Sequence, residues 1–225
     1  VLGSVCNNNL KAQGATAWQN PVGDPFNIDY VAHEMGHQFR ASHSYNNSCS
    51  GNRNDDTAYE PGSGSSIMAY AGICAPNIQN NSDDAFHGIS MEQIGDYITT
   101  GNGDNCPTKT PLTNNAPTIS STNVDGNITI PASTPFALTA TATDPDGDGL
   151  TYSWEQMDKE ISTQAPLATA ANGPNFRAFR PKTSPTRYLP NLVALKNGGS
   201  FEWEVLPSVS RSLNFRVMVR DNASG

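Results

Sequence analysis

Three prolines among polar residues interrupt this chain of 225 residues at positions 107–117. Proline lacks a backbone N–H group and fixes its own φ angle, so the stretch disfavours both helix and sheet pairing and is typical of a linker. All four cysteines and all four histidines precede it, and neither residue type follows it. The sequence therefore predicts two domains, at residues 1–106 and 118–225, with any metal chemistry confined to the first.

Composition narrows the class of protein and its partners. Hydrophobic residues make up 36% of the chain and charged residues 15%, which favours a loop-rich extracellular protein over a helical cytosolic enzyme. The net charge of −8 and the pI near 4.8 argue against nucleic acid as a partner. No apolar run approaches the roughly 20 residues that a membrane-spanning helix needs. We therefore expect a secreted protein with no nucleic-acid partner and no membrane span.

The four cysteines are widely spaced and include no Cys-x-x-Cys pair, which favours disulfides over metal binding or redox chemistry. Three pairings are open. We favour Cys6–Cys106, which would join the two ends of the first domain, and Cys49–Cys74, which would close a loop. Two disulfides imply an oxidising compartment; four buried free thiols are the alternative.

Two helices are predicted in the first domain. One runs from about Asn27 to Phe39, after the start signal Asp24-Pro25, and the other from about Ser90 to Tyr97 with Ser90 among its capping residues. The stretch from Tyr45 to Ser66 is rich in Asn, Gly and Ser, so we expect a long loop that is functional or pinned in place. Residues 1–6 resemble a strand already in progress, and we expect an internal fragment of a longer protein.

The second domain shows the alternating pattern of β-strands. The predicted strands are Thr118–Thr122, Asn127–Ile130, Phe136–Thr143, Leu150–Gln156 and Leu213–Val219. A hairpin turn is expected at Asp146-Gly147-Asp148-Gly149. The pattern predicts an all-β, immunoglobulin-like sandwich whose final strand is cut off.

The chemistry is concentrated in residues 33–43, which read HEMGHQFRASH. Residues four apart lie on one face of a helix, so His33 and His37 can direct two imidazoles at one point. A catalytic zinc takes three protein ligands and keeps one position for water. His43 can be the third ligand if the helix ends near Arg40 and the chain turns back. The fourth histidine, His87, has no partner at ligand spacing and is expected to be structural or to line a pocket.

Glu34 directly follows the first histidine, so its carboxylate would lie beside the zinc rather than on it. From there it could act as the general base that takes a proton from water and later gives it to the leaving amine. Each role in metal-assisted amide hydrolysis thus has a candidate residue. A helix with chance histidines and a zinc-holding pseudoenzyme are the alternatives.

This pattern resembles the metzincin clan of zinc endopeptidases, whose signature is His-Glu-x-x-His-x-x-Gly-x-x-His followed by a Met-turn. Ser66-Ile67-Met68-Ala69-Tyr70 is similar to that turn, and the residues around both motifs look most like the bacterial reprolysin-like enzymes. The resemblance covers roughly residues 1–106. It implies an α+β catalytic portion, made of the zinc helix and a loop-rich lower subdomain. Most of the mainly β subdomain that precedes the zinc helix in the clan would be absent from this chain.

The same resemblance implies roles for three residues. Met68 would form an apolar floor beneath the zinc ligands, and Tyr70 would stabilise the developing oxyanion, although a purely structural tyrosine is equally ordinary. Arg40 occupies the family's glycine position, where a left-handed conformation would cost arginine about 1 kcal/mol or more. Substrate preference would be set by loops around residues 66–77, and no single residue there indicates it.

Residues 140–154 resemble cadherin-like and polycystic-kidney-disease-type modules. Asp144, Asp146 and Asp148 offer carboxylates at alternate positions, which could hold Ca²⁺, but a simple Asp/Gly turn is the interpretation we prefer. Such a module could contact a surface or a polymer. The sequence therefore predicts a secreted zinc endopeptidase acting on peptides or proteins, and the alternative is an extracellular binding or adhesion protein with a structural or inactive zinc site.

Overall fold

The computed structural model describes residues 1–10, 13–196 and 202–223. Short helices and long loops make up residues 1–106, called the N-terminal region below. Residues 107–117 contain neither helix nor strand, and all the strands assigned among the described residues belong to residues 118–223, the C-terminal region. Among the described residues no helix is both long and apolar enough to cross a bilayer.

The first helix of the N-terminal region spans residues 24–38 and is called the site helix. It is composed of a short α-helical turn, α1 (Asp24–Phe26), a π-helical segment (Asn27–Ala32) and a second α-helical segment, α2 (His33–Gln38). Proline is accepted in the first turn because no intrahelical partner is needed for its missing N–H group, and this explains why the helix begins earlier than the predicted Asn27.

The second long helix of this region, α3 (Gly88–Thr99), extends beyond the predicted Ser90–Tyr97 at both ends. Its N-cap is His87, whose Nδ1 accepts a hydrogen bond from the backbone N–H of Ile89 at 3.2 Å. Ser90, expected among the capping residues, is instead buried within the first turn. A histidine cap is uncommon, so the sequence pattern placed the start of the helix too late.

The first residues form turns rather than the predicted strand. The backbone N–H groups of Gly3 and Ser4 donate to the carbonyl oxygens of His37 and Gln38, at 2.9 and 3.0 Å. They satisfy carbonyls at the C-terminal end of the site helix, which have no partner inside the helix. One disulfide, Cys6–Cys106, attaches this segment to the end of the region.

The C-terminal region contains two antiparallel sheets. Strands β1 (Thr118–Thr122), β2 (Phe136–Thr143) and β4 (Thr186–Leu189) form the first sheet in the order β1-β2-β4. Strands β3 (Thr151–Gln156) and β5 (Phe215–Arg220) pair with each other in the second, and a short helix, α4 (Leu192–Lys196), follows β4.

Two predictions for this region are wrong. The described residues 127–130 form no strand. The turn at residues 146–149 does not close a hairpin, because β2 and β3 on either side of it belong to different sheets. Strand β4 was missed. Alternation located β1, β2, β3 and β5, but the pairing of strands depends on contacts between residues far apart in the chain.

The core of the C-terminal region joins side chains from both sheets. Leu138 and Leu189 from the first sheet pack with Trp154 from the second and with Phe176, all at 5% exposure or less. The indole N–H of Trp154 donates to the carbonyl of Pro185 at 3.1 Å, so its polar atom is satisfied.

Opposite charges meet where the two regions pack together. The N-terminal region has three Lys/Arg against eleven Asp/Glu and so carries the whole net charge of −8, while residues 107–225 have ten of each. Ion pairs across the contact follow this division: Lys159–Asp56 at 3.3 Å, Arg180–Asp83 at 3.0 Å and Arg216–Glu92 at 2.6 Å. Because five of these six side chains are at least 38% exposed, each pair adds little stability.

Buried hydrogen bonds fix the contact between the regions more firmly. Glu155 of β3 is 3% exposed, and its Oε2 accepts from the backbone N–H of Gly88, the first residue of α3, at 2.6 Å. The fully buried side chain of Asn46 accepts from the N–H of Ser162 at 2.6 Å. A buried polar atom that loses its partner costs about 1–3 kcal/mol, so these contacts hold the two regions in one arrangement.

We predict that Gly88→Ala lowers the free energy of unfolding by about 1–3 kcal/mol through overpacking. The added Cβ would lie 2.8 Å from both the Glu155 carboxylate and the Met218 sulfur. Gly95→Ala in the same helix is the control. Its Cβ would meet nothing within 4 Å, so alanine should stabilise the helix by about 0.5–1 kcal/mol. Urea unfolding measures both, and stabilisation by both variants would contradict the close contact between the regions.

Candidate metal centre

The three histidines predicted as ligands lie together. His33, His37 and His43 each offer a ring nitrogen, and these atoms all lie within 4.8 Å of one another. The Nε2 atoms of His37 and His43 are 3.1 Å apart, and the ring centroids of His33 and His37, one helical turn apart, are separated by 4.7 Å. One point is thus surrounded by three imidazoles.

The site helix ends in a turn that returns His43 to the other two histidines. The N–H of Ala41 donates to the carbonyl of Gly36, and the N–H of Arg40 to that of His37, both at 2.9 Å. This pair of bonds is a Schellman motif, in which the residue after the cap is left-handed. Arg40 occupies that position with φ 75°, so arginine makes the turn for which glycine is usual.

A backbone carbonyl fixes the orientation of each imidazole. The Nδ1 atom of each histidine lies within hydrogen-bonding distance of one: Ile67 O for His33 at 2.8 Å, Ala41 O for His37 at 2.8 Å and Asn52 O for His43 at 2.6 Å. Carbonyl oxygens only accept, so each Nδ1 carries the proton and each Nε2 keeps a free lone pair. Metal-binding histidines commonly have such partners, which fix the tautomer and the ring direction.

The ring nitrogens fit a divalent metal ion. In the neutral tautomers assigned from these contacts, His37 and His43 present two lone pairs to each other at 3.1 Å and cannot share a hydrogen bond. A cation that accepts both lone pairs removes the conflict. Three neutral imidazoles are a donor set suited to zinc and to other first-row divalent metals.

Burial keeps the imidazoles neutral. It lowers the pKa of His33 to about 3 and that of His43 to about 4. Burial also lowers the pKa of His37, although the negative charge of Glu34 acts in the opposite direction. Since metals bind the deprotonated ring, all three side chains are in the ligating form at neutral pH.

Tyr70 lies beside the histidine cluster, and Glu34 lies on the site helix directly after His33. Glu34 is half-buried on the site helix between the two helical histidines. The Tyr70 ring centroid is 4.7 Å from that of His43 and 5.6 Å from that of His33. Burial raises the pKa of the Tyr70 phenol and the charge of Glu34 raises it further, so Tyr70 stays protonated and able to donate a hydrogen bond.

Met68 is fully buried beneath the site helix, in a cluster with Ala41 and Ile67. The helix approaches so closely that a Cβ on Gly36 would lie 2.4 Å from the Met68 sulfur. Gly36, at the centre of the histidine motif, is therefore required by packing. The turn at residues 66–70 fits against the helix because this position has no side chain.

The long loop at residues 45–66 supplies the carbonyl that orients His43. Asn52 follows a short 3₁₀ turn (Cys49–Gly51), which the Cys49–Cys74 disulfide attaches to the segment after the Met-turn. The structure thus contains the two disulfide pairings favoured from the sequence. Among the described residues the loop has no α-helix or strand.

Sequence reasoning missed Tyr45, whose ring lies beside those of His43 and Tyr70. Its ring is fully buried, with centroid distances of 5.1 Å to His43 and 4.7 Å to Tyr70. Its hydroxyl lies 3.4 Å from the Nδ1 of His43. The only signal in the sequence is an aromatic residue two positions after the third histidine.

The three aspartates of the C-terminal region also lie close together. Carboxylate oxygens of Asp144, Asp146 and Asp148 are within 4.8 Å of one another. Asp144 Oδ1 accepts from the N–H groups of Asp146 and Asp148 at 2.8 and 3.1 Å, and Asp146 Oδ2 accepts from the N–H of Asn115 at 2.6 Å. These bonds account for a stable turn, and calcium binding stays a prediction.

Comparison with known proteins identifies one family. Residues 1–97 match the model of the reprolysin-like metallopeptidases of family M12B. No curated protein matches the chain, and neither does any solved structure. The matched segment contains all three histidines, Glu34, Met68 and Tyr70. This part of the chain is therefore similar to metallopeptidases, in agreement with the resemblance noted in the sequence.

We predict that Arg40→Gly raises the free energy of unfolding by about 1 kcal/mol, because glycine adopts a left-handed conformation without the steric cost of a Cβ. Arg40→Ala is the control. Alanine keeps the Cβ, and the arginine side chain is exposed, so its effect should stay within about 0.5 kcal/mol. Thermal or urea unfolding measures the difference, and equal effects of the two variants would contradict backbone strain at this turn.

Proposed function

We propose that this chain carries the catalytic centre of a secreted zinc-dependent endopeptidase. The observation that carries the proposal is the set of three imidazoles, each with its Nδ1 at a backbone carbonyl and all with ring nitrogens within 4.8 Å of one another. The match of residues 1–97 to a metallopeptidase family supports peptide or protein substrates.

The residues around the histidines provide groups for hydrolysis. When bound, zinc would supply a Lewis acid that lowers the pKa of a water molecule towards ~7. Glu34, close enough to the site for its charge to act on His37 and Tyr70, would take the proton of the attacking water and deliver it to the leaving amine. Tyr70, protonated beside His43, would donate a hydrogen bond to the developing oxyanion.

The remaining assignments belong to the same proposal. Two disulfides favour an extracellular location. Residues 1–106 would be the catalytic domain, residues 107–117 the linker and residues 118–225 an immunoglobulin-like module related to cadherin and polycystic-kidney-disease domains. The packing of Leu138, Leu189 and Trp154 from two sheets supports a sandwich, and the aspartate turn is the candidate for Ca²⁺.

Glu34→Gln is the first test. The amide cannot accept a proton, so we expect hydrolysis of a fluorogenic peptide library to fall below detection while one zinc per chain is retained by elemental analysis. Glu92→Gln, the same change at a half-exposed position on α3, is the control and should keep full activity. A chain that binds zinc and shows no hydrolysis that depends on Glu34 would favour the alternative, an extracellular binding protein with a structural metal.

Tyr70→Phe separates transition-state stabilisation from substrate binding. Loss of an oxyanion donor lowers kcat by about 100-fold or more, and KM should change little, because the phenol acts only when charge develops on the substrate. Tyr30→Phe, on the site helix beside Trp18, is the matched control. Steady-state kinetics give both constants, and a kcat within threefold of the parent would assign Tyr70 a structural role.

A further inference from the structure

The N-terminal region contains a buried carboxylate that hydrolysis does not use. Glu60 is 1% exposed and is the only charged residue between Asp56 and Asp83. It lies in the loop that connects the third histidine to the Met-turn, in a stretch of small residues. A buried charge is costly unless hydrogen bonds compensate it. The groups that donate to the Glu60 carboxylate therefore show which segments it holds together.

Three serines surround this carboxylate. Its Oε2 accepts from the hydroxyls of Ser44 and Ser66, each at 2.5 Å. Its Oε1 accepts from the backbone N–H groups of Ser65 and Ser66 at 2.9 and 3.0 Å, and a longer contact of 3.4 Å reaches the Ser65 hydroxyl. Both oxygens are therefore satisfied, and the bonds to an ionised acceptor belong to the stronger class.

The balance of these contacts keeps Glu60 ionised. Burial raises the pKa of its carboxyl, but the hydrogen bonds from Ser44, Ser66 and Ser65 act in the opposite direction, and the pKa lies below its ordinary value.

Glu60 joins the segment that carries His43 to the segment that orients His33. Ser44 directly follows His43, and its N–H donates to the carbonyl of Met68 at 3.1 Å. Ser66 directly precedes Ile67, whose carbonyl holds the Nδ1 of His33. One carboxylate thus connects the segment that carries a ligand with the segment that orients another.

We propose that Glu60 is a positioning residue for the metal centre, which sets the relative placement of His43 and of the carbonyl that orients His33. The proposal rests on the proposed function only in requiring that the histidines bind a metal. Glu60 touches neither metal nor substrate and acts through Ser44 and Ser66.

The proposal predicts weaker metal binding in Glu60→Gln. The side chain keeps its size, but one amide oxygen cannot accept from both the N–H pair and the hydroxyl pair. Loss of a partner that orients metal ligands weakens metal affinity by about 10–100-fold. The zinc Kd, measured by competition with a chromophoric chelator, should rise by at least tenfold. The visible absorption of the cobalt-substituted protein should shift, because it reports the geometry of the ligands.

Two matched controls separate positioning from stability. Glu204→Gln removes a carboxylate that is 5% exposed and paired with Arg187 at 3.0 Å in the C-terminal region, so it should lower stability without changing the zinc Kd. Among the serines around Glu60, Ser44→Ala removes a hydroxyl bond of 2.5 Å to the Glu60 carboxylate. Ser65→Ala removes only hydroxyl contacts of 3.4 Å, to Glu60 and to the carbonyl of Ala178. Both serines are fully buried, and only Ser44→Ala should raise the zinc Kd.

The outcomes are distinguishable. A raised Kd in Glu60→Gln or Ser44→Ala, with Glu204→Gln and Ser65→Ala unchanged, supports the proposal. A zinc Kd within twofold of the parent in folded Glu60→Gln, or in Ser44→Ala if Glu60→Gln fails to fold, overturns it and leaves the proposed function intact. Failure of the parent chain to bind zinc overturns both.

Discussion

The site depends on three hydrogen bonds from imidazole Nδ1 atoms to backbone carbonyls. The carbonyls belong to Ala41, Asn52 and Ile67, in three segments: the turn after the site helix, the long loop and the Met-turn. Each bond fixes a tautomer and directs a lone pair, and none of the three can form unless its segment is in place. The candidate metal centre is therefore a property of the folded N-terminal region and not of the helical motif alone.

Glu60 and His87 connect the segments around the histidines to further parts of the structure. Glu60 bonds the segment after the third histidine to the Met-turn. His87 caps α3 and lies 3.5 Å from Glu155, a residue of the C-terminal region. Buried polar groups in contact polarise and constrain one another. The packing of the C-terminal region thus reaches the structure that surrounds the three histidines.

The candidate site was more predictable than the fold. His33 and His37 follow from helical periodicity alone, and the family resemblance indicated Met68 and Tyr70, two residues that local patterns could not have selected. Strands such as β2 were recognised from alternation, yet the pairing of β3 with β5 was not. Pairing joins residues 59 to 69 positions apart, and no local pattern reports which extended segments meet.

The sequence by itself determined the candidate site: three histidines at ligand spacing, a carboxylate beside the first, and cysteines confined to one region. These are properties of residue type and short-range spacing, which the helix period converts directly into geometry. Only the tertiary structure decided three features. The chain turns back through a left-handed Arg40, three particular carbonyls orient the imidazole rings, and Glu60 is buried among serines. Those features depend on segments brought together by packing, and packing is set by the whole chain at once.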